Sequence, residues 1–200
     1  MDDQPLQERR GLRQELRARR RRLTPLARRQ AAQSLALRLL RQAPVRRARR
    51  IALYLAHDGE IDPARFAALA HARGKQLFLP VLRHFPADHL LFALWRPHAR
   101  MRRNRFGIGE PIKGRRLRAA ALDLILLPLV GFDAGGRRLG MGGGFYDRTL
   151  AFKKHSPTGH PALLGLAHAC QELPSLTAAP WDIPLQGIVT ERRHYPARRQ

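Results

Sequence analysis

The sequence has one cysteine, no long apolar run and no apolar segment at its N-terminus. Because Cys170 stands alone among 200 residues, an internal disulfide and a zinc site of several thiolates are excluded. No apolar run approaches the roughly 20 residues of a membrane-spanning helix, and the charged N-terminus lacks the core of a signal peptide. These absences predict a cytoplasmic protein that has no membrane partner.

The sequence also lacks several motifs of well-known enzymes. Its glycine-rich segment, residues 128–150, has neither the Gly-Lys-Ser/Thr ending of a Walker A loop nor the GxGxxG spacing of a dinucleotide-binding unit. No GxSxG nucleophile elbow is present, and the nine histidines include no HExxH pair. The sequence therefore gives no sign of a serine hydrolase or of a zinc peptidase.

Acidic residues and lysines are scarce, whereas arginine is abundant. The formal net charge is +23, and residues 1–50 hold sixteen arginines against four acidic residues. Such a basic arm attracts phosphate-bearing ligands and leaves open a nucleic-acid-binding protein. The skew from lysine to arginine favours coding bias and solvated helix faces, and few aromatic residues interleave with the arginines for base stacking. We therefore do not expect nucleic acid as a partner.

The length and the 44% hydrophobic content suit one domain over residues 1–200. We predict an α/β fold in three layers, with a mainly parallel central sheet, helices on both faces and a basic helical arm over residues 1–45 packed on it. The clearest unit is residues 51–80. There a short strand, a helix opened by Asp62-Pro63 and stopped by Gly74, and a second strand predict a β-α-β crossover.

The remaining elements follow from periodicity and from start and stop signals. Helices are predicted over residues 6–22, from Thr24-Pro25 to Pro44, and from the glycine-rich segment to about Lys154. Strands are predicted at residues 51–55, 76–80, 90–95, 122–127, 163–167 and 187–190. Residues 96–118 are expected to be polar and irregular, and a loop is expected through Pro157 and Pro161.

The chain is organised around residues 128–150, which read PLVGFDAGGRRLGMGGGFYDRTL. A strand, a glycine loop and a helix in succession bind phosphate, because backbone N–H groups point into the loop and the helix N-terminus carries partial positive charge. Tyr146 and Asp147 follow the glycines, where a ring contact and a metal-binding carboxylate would be useful. A turn-rich connection without a ligand is the alternative. Three arginines flank the loop and can neutralise phosphate oxygens: Arg137, Arg138 and Arg148.

Residues 138–148, RLGMGGGFYDR, resemble the signature of the 5-formyltetrahydrofolate cyclo-ligase family, which runs roughly Arg-Leu-Gly-x-Gly-x-Gly-Tyr-Tyr-Asp-Arg. Phe145 replaces the first tyrosine, which keeps the ring and loses a hydroxyl. The resemblance implies that Arg138, Tyr146 and Arg148 act in catalysis. It also implies an ATP-binding set drawn from the first helix and the loop: Arg9, Arg13, Arg138, Leu139, Gly140, Met141, Gly142, Gly143, Gly144, Phe145 and Tyr146.

Two further stretches resemble folate-side elements of that family. Leu55 and Glu60 match a Leu-x-x-x-x-Glu element, which implies folate binding, with Glu60 hydrogen-bonding the pterin or the N5-formyl region. A core leucine and a solvated acid are the alternative for these two residues. Residues 106–111, FGIGEP, resemble a Phe-Gly-Ile-x-Glu-Pro element, which either contacts the ligand or shapes a turn.

Two other pairs resemble nucleotide-side elements of the family. Arg9 and Arg13 match a basic-x-x-x-Arg pattern that reaches ATP phosphates, and they lie one turn apart on one helical face. The family usually has lysine at the first position, so Arg9 keeps the charge and changes the geometry. Asp147 and Asp182 resemble the family's Mg²⁺ ligands, since magnesium commonly uses one or two carboxylates with phosphates and waters. A loop or cap role is the alternative for Asp182.

The resemblance implies that ATP and 5-formyltetrahydrofolate give 5,10-methenyltetrahydrofolate, ADP and phosphate. The formyl oxygen is phosphorylated, N10 attacks and the five-membered ring closes. This chemistry depends on positioning and charge neutralisation and needs no protein nucleophile. We expect a monomer whose partners are ATP and a reduced folate. A nucleic-acid-binding protein and a different sugar-phosphate or acyl enzyme on a related fold are the alternatives.

Overall fold

The structure, a computed structural model, describes residues 4–83, 85, 88–154 and 159–196, with side chains from residue 7 onward. No helix within these ranges is both long enough and apolar enough to cross a bilayer. The α-helices of the described residues are α1 Gln4–Arg21, α2 Pro25–Arg41, α3 Ala43–Arg47, α4 Ala64–Ala72 and α5 Phe145–Thr149. The 3₁₀ turns are Ala119–Ala121, Ala151–Lys154 and Ala169–Gln171.

The strands of the described residues are β1 Arg50–Ala52, β2 Gln76–Leu82, β3 Leu90–Trp95, β4 Met101–Arg103, β5 Gly109–Pro111, β6 Arg116–Leu117, β7 Leu124–Pro128, β8 Gly131–Asp133, β9 Arg138–Leu139, β10 Ala162–Leu166, β11 Glu172–Leu173, β12 Gly187–Val189 and β13 His194–Pro196. The central sheet has eight strands in the order β13-β12-β10-β7-β1-β2-β3-β6. The strands from β12 to β2 run parallel, while the pairs β12–β13, β2–β3 and β3–β6 are antiparallel. The predicted α/β class with a mainly parallel sheet is confirmed.

Helix starts follow the capping signals in the sequence. The Thr24 hydroxyl accepts the N–H of Ala27 at 3.2 Å ahead of α2, which is the arrangement expected of an N-cap threonine. Asp62 Oδ1 accepts the N–H of Ala64 at 2.8 Å at the start of α4. The prediction that Pro44 ends the second helix is wrong: α2 ends at Arg41, and Pro44 lies in the first turn of α3, where proline is tolerated because its missing N–H is not needed.

The two faces of the central sheet are covered differently. On one face α2, α3 and α4 pack on strand residues such as Leu126 and Val189. On the other face Ile125 and Ile188 pack mainly with residues from loops, turns and the small sheet, and that core cluster contains no residue of α1, α2, α3 or α4. A three-layer arrangement with helices on both faces therefore stays a prediction. Helix α1 buries Leu16 against Val130 and Leu139, next to the small sheet of β11, β8 and β9.

Two segments differ from their predicted structure. Residues 96–118 are irregular only in part, because β4 and β5 form an antiparallel hairpin and β6 joins the central sheet. The glycine loop follows β9 rather than a long buried strand, and the helix after it, α5, has five residues before a 3₁₀ turn takes over. The predicted loop through Pro157 lies outside the described residues.

Candidate active site

Residues 140–144 connect β9 to α5 as a mostly exposed loop. Gly142 and Gly144 have φ angles of +95° and +65°, which glycine adopts without the steric cost that a side chain would add. Helix α5 is too short to contribute a large dipole, since the macrodipole is a sum over aligned peptide units. The attraction of this loop for an anion therefore comes from its backbone N–H groups and from nearby arginines.

Two predicted arginines of α1 lie at the glycine loop and at the segment around Asp182. Arg13 Nε donates to the carbonyl of Gly140 at 2.9 Å, and its guanidinium lies beside Gly142. Burial and the charge of Arg9 lower the pKa of Arg13. Arg9 pairs with Asp182 Oδ2 at 3.3 Å. Arg13 is thus held at the glycine loop, and Arg9 is held at Asp182.

Arg148 folds back from α5 onto the glycine loop. Its Nη2 donates to the carbonyl of Gly143 at 2.6 Å, and its Nε pairs with Asp88 Oδ2 at 2.8 Å. Arg137 points elsewhere, since its Nη1 donates to the carbonyl of Leu176 at 2.8 Å. Of the three flanking arginines, Arg137 is therefore not directed at the loop.

Arg138 is buried and contacts Asp147 and the segment that contains Asp182, the two residues expected to bind a metal. Its Nη2 donates to Asp147 Oδ1, and its Nη1 donates to the carbonyl of Ile183, the neighbour of Asp182. No group of three or more His, Cys, Asp or Glu side chains gathers as a metal site within the described residues. Two carboxylates fit Mg²⁺ when phosphate oxygens and waters complete its coordination. A bound ion would compete with Arg138 for Asp147 and with Arg9 for Asp182.

Glu60 lies in the loop that follows β1. The turn before it has positive φ at Asp58 (+51°) and Gly59 (+76°), and the N–H of His57 donates to Glu60 Oε2 at 3.1 Å. The Glu60 side chain is 9% exposed. Burial raises the pKa of this carboxyl, and the His57 N–H and the charge of Arg20 oppose that rise. An acid with a raised pKa in a loop at a sheet edge is a candidate ligand-binding group.

Tyr146 lies in the first turn of α5, directly after the glycine loop. Burial raises the pKa of Tyr146, and the charge of Glu60 raises it further. Burial and the charges of Glu60 and Tyr146 also raise the pKa of Tyr54. The hydroxyl of Tyr54 donates to the carbonyl of Ile61 at 2.7 Å. The charge of Glu60 therefore acts on both tyrosines.

Leu55 lines a pocket of about 370 Å³ together with residues of the β4–β5 hairpin, among them Met101, Arg103 and Gly109. The hairpin also reaches the glycine loop, because the rings of Phe106 and Phe145 meet edge to face at a centroid distance of 5.7 Å. This pocket provides a partly apolar wall of the kind that a flat ring system needs.

Glu110, in the same FGIGEP stretch, has a structural role. It is buried and accepts the N–H of Leu82 at 2.9 Å and the side-chain amide of Asn104 at 3.0 Å. Leu139 is likewise a fully buried core residue, so only its backbone is available to a nucleotide. These contacts hold Glu110 and Leu139 in the structure, while Phe106 lies beside the site.

Sequence reasoning missed the side chains that hold the Glu60 loop in place. Asp58 Oδ atoms accept from Arg17 at 2.8 Å, from Arg20 at 3.2 Å and from Arg21 at 2.5 Å. A signal was present, because residues 16–57 contain thirteen arginines and no acidic residue, so that Asp58 is the first carboxylate after that stretch. An isolated acid among so many cations is a natural partner for several of them.

Comparisons with known proteins identify the family. The model of the 5-formyltetrahydrofolate cyclo-ligase family matches residues 5–191. The chain belongs to the 5-formyltetrahydrofolate cyclo-ligase family. It is 42% identical over 177 residues to the 5-formyltetrahydrofolate cyclo-ligase of Escherichia coli (strain K12), which covers 88% of this chain and 96% of that protein. It is 40% identical over 188 residues to the Haemophilus influenzae protein of that name, covering 92% and 97%.

A solved structure extends the likeness to the fold. The NMR structure of Aquifex aeolicus 5,10-methenyltetrahydrofolate synthetase has a TM-score of 0.80 and 27% identity, and the match covers 96% of this chain and 94% of that one. The predicted family is confirmed, and with it the enzyme class, a ligase of folate one-carbon metabolism. The roles of single residues stay predictions.

Proposed function

We propose that this cyclo-ligase family member uses ATP to convert 5-formyltetrahydrofolate to 5,10-methenyltetrahydrofolate, with release of ADP and phosphate. The observation that carries the proposal is the edge-to-face contact of the Phe106 and Phe145 rings at 5.7 Å, which brings the hairpin that lines the Leu55 pocket to the start of α5, beside the glycine loop. One half of the site offers a glycine loop with arginines for a triphosphate, and the other offers a buried acid and a partly apolar pocket for a pterin.

The proposed reaction has two steps. The formyl oxygen takes the terminal phosphoryl group of ATP, and ADP leaves. The lone pair of N10 then attacks the formyl carbon, N10 loses its proton, the C–O bond breaks and phosphate departs. Both steps build up negative charge on phosphate oxygens, which fixed cationic groups stabilise without reorganising.

In this proposal the chain's own residues bind, orient and neutralise charge. Arg13, Arg138 and Arg148 face the phosphates, and the backbone of residues 139–146 surrounds them. Glu60 orients the pterin through its carboxylate, and Leu55 contacts the ring system. Asp147 and Asp182 would hold Mg²⁺, which when bound neutralises phosphate charge.

Arg9, which pairs with Asp182, is the remaining arginine of the proposed nucleotide-binding site. The monomeric state, the lack of a nucleic-acid partner, the cytoplasmic location and the single-domain organisation stay predictions.

The test is to mix the protein with ATP, Mg²⁺ and 5-formyltetrahydrofolate and to follow the methenyl product by its absorbance. We expect product only when ATP is present. Arg138→Gln should lower turnover by about 100-fold, as removal of a transition-state donor does. Arg137→Gln is the matched control, since this neighbouring arginine points away from the loop, and its turnover should equal that of the wild type. An absence of product from the folded wild-type protein would refute the proposal.

A further inference from the structure

Helix α1 contacts both halves of the proposed site through residues of one face. Midway along the helix Arg13 donates to the carbonyl of Gly140 in the glycine loop at 2.9 Å. Near its C-terminus Arg20 Nε donates to the carbonyl of Asp58, in the Glu60 loop, at 2.9 Å. Between them Leu16 is fully buried. At about 1.5 Å of rise per residue, the helix spans roughly 10 Å between these two arginines as a stiff rod.

Asp58 is the point at which the Glu60 loop is attached to this rod. Its carboxylate receives three guanidinium groups, from Arg17, Arg20 and Arg21, and its side chain is only 12% exposed. Arg20 is fully buried and lies 4.0 Å from Glu60 Oε1. Because Asp58 itself has a φ of +51°, which a non-glycine residue adopts only when its surroundings impose it, the same contacts hold the turn that presents Glu60.

An ion pair on the surface of α1 provides a comparison for the Asp58 cluster. Glu15 pairs with Arg19 at 2.5 Å within the helix, and both side chains are exposed, at 54% and 40%. Such i,i+4 pairs contribute little and reach no other element. The Asp58 cluster differs, because it joins α1 to a loop more than 35 residues away in sequence and includes a cation with no access to water.

We propose that Asp58 is a positioning residue that fixes the Glu60 loop to α1, and that α1 thereby makes nucleotide binding at the glycine loop and folate binding at Glu60 depend on each other. This inference rests on the proposed function. A nucleotide that engages Arg9 and Arg13 fixes the position of α1, and the fixed helix holds the turn at Asp58. By linkage the folate must then strengthen nucleotide binding by the same factor.

The experiment measures the dissociation constant of 5-formyltetrahydrofolate by calorimetry, with and without a saturating non-hydrolysable ATP analogue and Mg²⁺. In the wild-type protein we expect the analogue to tighten folate binding at least 5-fold, the lower end of typical coupling between sites. In Asp58→Asn the ratio should fall to about one, while each ligand still binds. Glu15→Gln is the matched control and should keep the wild-type ratio.

Three results would overturn the inference while the proposed function stands. The wild-type protein could show a ratio of one, or Asp58→Asn could keep the wild-type ratio. Glu15→Gln could also lower the ratio as much as Asp58→Asn does. A wild-type protein that binds no folate would instead overturn the proposed function. If Asp58→Asn does not fold, the double variant Arg17→Gln/Arg21→Gln decides by the same criterion, because it removes the two more exposed contacts and leaves the buried pair with Arg20. Its ratio should lie below that of the wild type, and an unchanged ratio overturns the inference.

Discussion

Asp58 and Glu60 lie two residues apart in one loop, yet their surroundings shift the pKa values of their carboxyl groups in opposite directions. Burial alone would raise the pKa of Asp58, but hydrogen bonds from Arg21 and Arg17 and the charges of Arg17 and Arg20 outweigh it and lower the pKa to about 2. At Glu60 burial prevails and raises the pKa, because the His57 N–H and Arg20 compensate only in part. The charge of the Asp58 carboxylate is therefore fully compensated, whereas that of the Glu60 carboxylate is compensated only in part.

This difference predicts that Asp58 holds the structure and that Glu60 binds a ligand. A fully paired carboxylate contributes to folding and has no capacity left for a substrate. A carboxylate that is buried and only partly compensated costs stability, and a ligand that supplies hydrogen-bond donors can recover that cost on binding. The comparison therefore assigns opposite roles to two acids that look alike in the sequence.

The largest effect is expected from removing the charge of Asp58. We predict that Asp58→Asn lowers the free energy of unfolding at pH 7 by about 3 kcal/mol, because breaking a buried pair leaves the cation of Arg20 uncompensated. Urea denaturation measures this difference. Glu15→Gln, on the exposed surface of the same helix, should change stability by less than about 0.5 kcal/mol.

The stability difference between the wild type and Asp58→Asn should depend on pH. Since the pKa of Asp58 in the folded protein is about 2 and lies below the unfolded value, its contribution is complete above about pH 4 and is lost as the pH falls toward 2. The stability gap between wild type and Asp58→Asn should close over that window. A gap that stays constant from pH 7 to pH 2 would show that the arginines do not stabilise the ionised carboxylate.

The next effect is expected at Glu60, in binding rather than in stability. Glu60→Gln should lower kcat/KM for 5-formyltetrahydrofolate by 10- to 100-fold, roughly 1.4–2.7 kcal/mol, with a smaller change in the KM for ATP. Steady-state kinetics with each substrate varied in turn measures this split. An unchanged kcat/KM for the folate would remove Glu60 from the binding site.

The stability of Glu60→Gln tests the other side of the comparison. Because the folded-state pKa of Glu60 is raised, its contribution is full below the unfolded pKa and is lost as the pH rises through the folded pKa. At pH 7 the glutamine variant should therefore be as stable as the wild type or more stable. A loss of stability as large as that of Asp58→Asn would contradict the distinction between the two acids.

The sequence predicted the parts of this site that depend on local patterns. The β1–α4–β2 crossover follows from a cap at Asp62 and a stop at Gly74, where φ is +73°. The glycine loop follows from its composition. The short α5 was not predicted, because the residues after Thr149 suit an α-helix, whereas a 3₁₀ turn follows at Ala151–Lys154.

Contacts between distant segments could not be read from local patterns. The cluster at Asp58 needs α1 and the Glu60 loop to meet across about 40 positions, and periodicity specifies neither the meeting point nor the partner. The ion pair between Arg138 and Asp147 was not predicted from the sequence for a different reason. Both residues had been assigned to ligands by resemblance, and the structure shows that they also satisfy each other.

The smallest effect is expected at His168, which extends the comparison from acids to a base. His168 is 1% exposed, and burial lowers its pKa, as do the charges of Arg20 and Arg28, against the opposing charge of Glu191. Its folded-state pKa therefore lies below the unfolded value of about 6.5, so the unfolded state takes up more protons as the pH falls. The contribution of His168 to the free energy of unfolding is full above pH 6.5 and declines below it.

We predict that the wild type loses about 1 kcal/mol more than His168→Gln between pH 7 and pH 5, measured by urea denaturation at each pH. A His168→Gln curve that follows the wild-type curve would show that His168 takes up its proton in the folded protein as readily as in the unfolded chain.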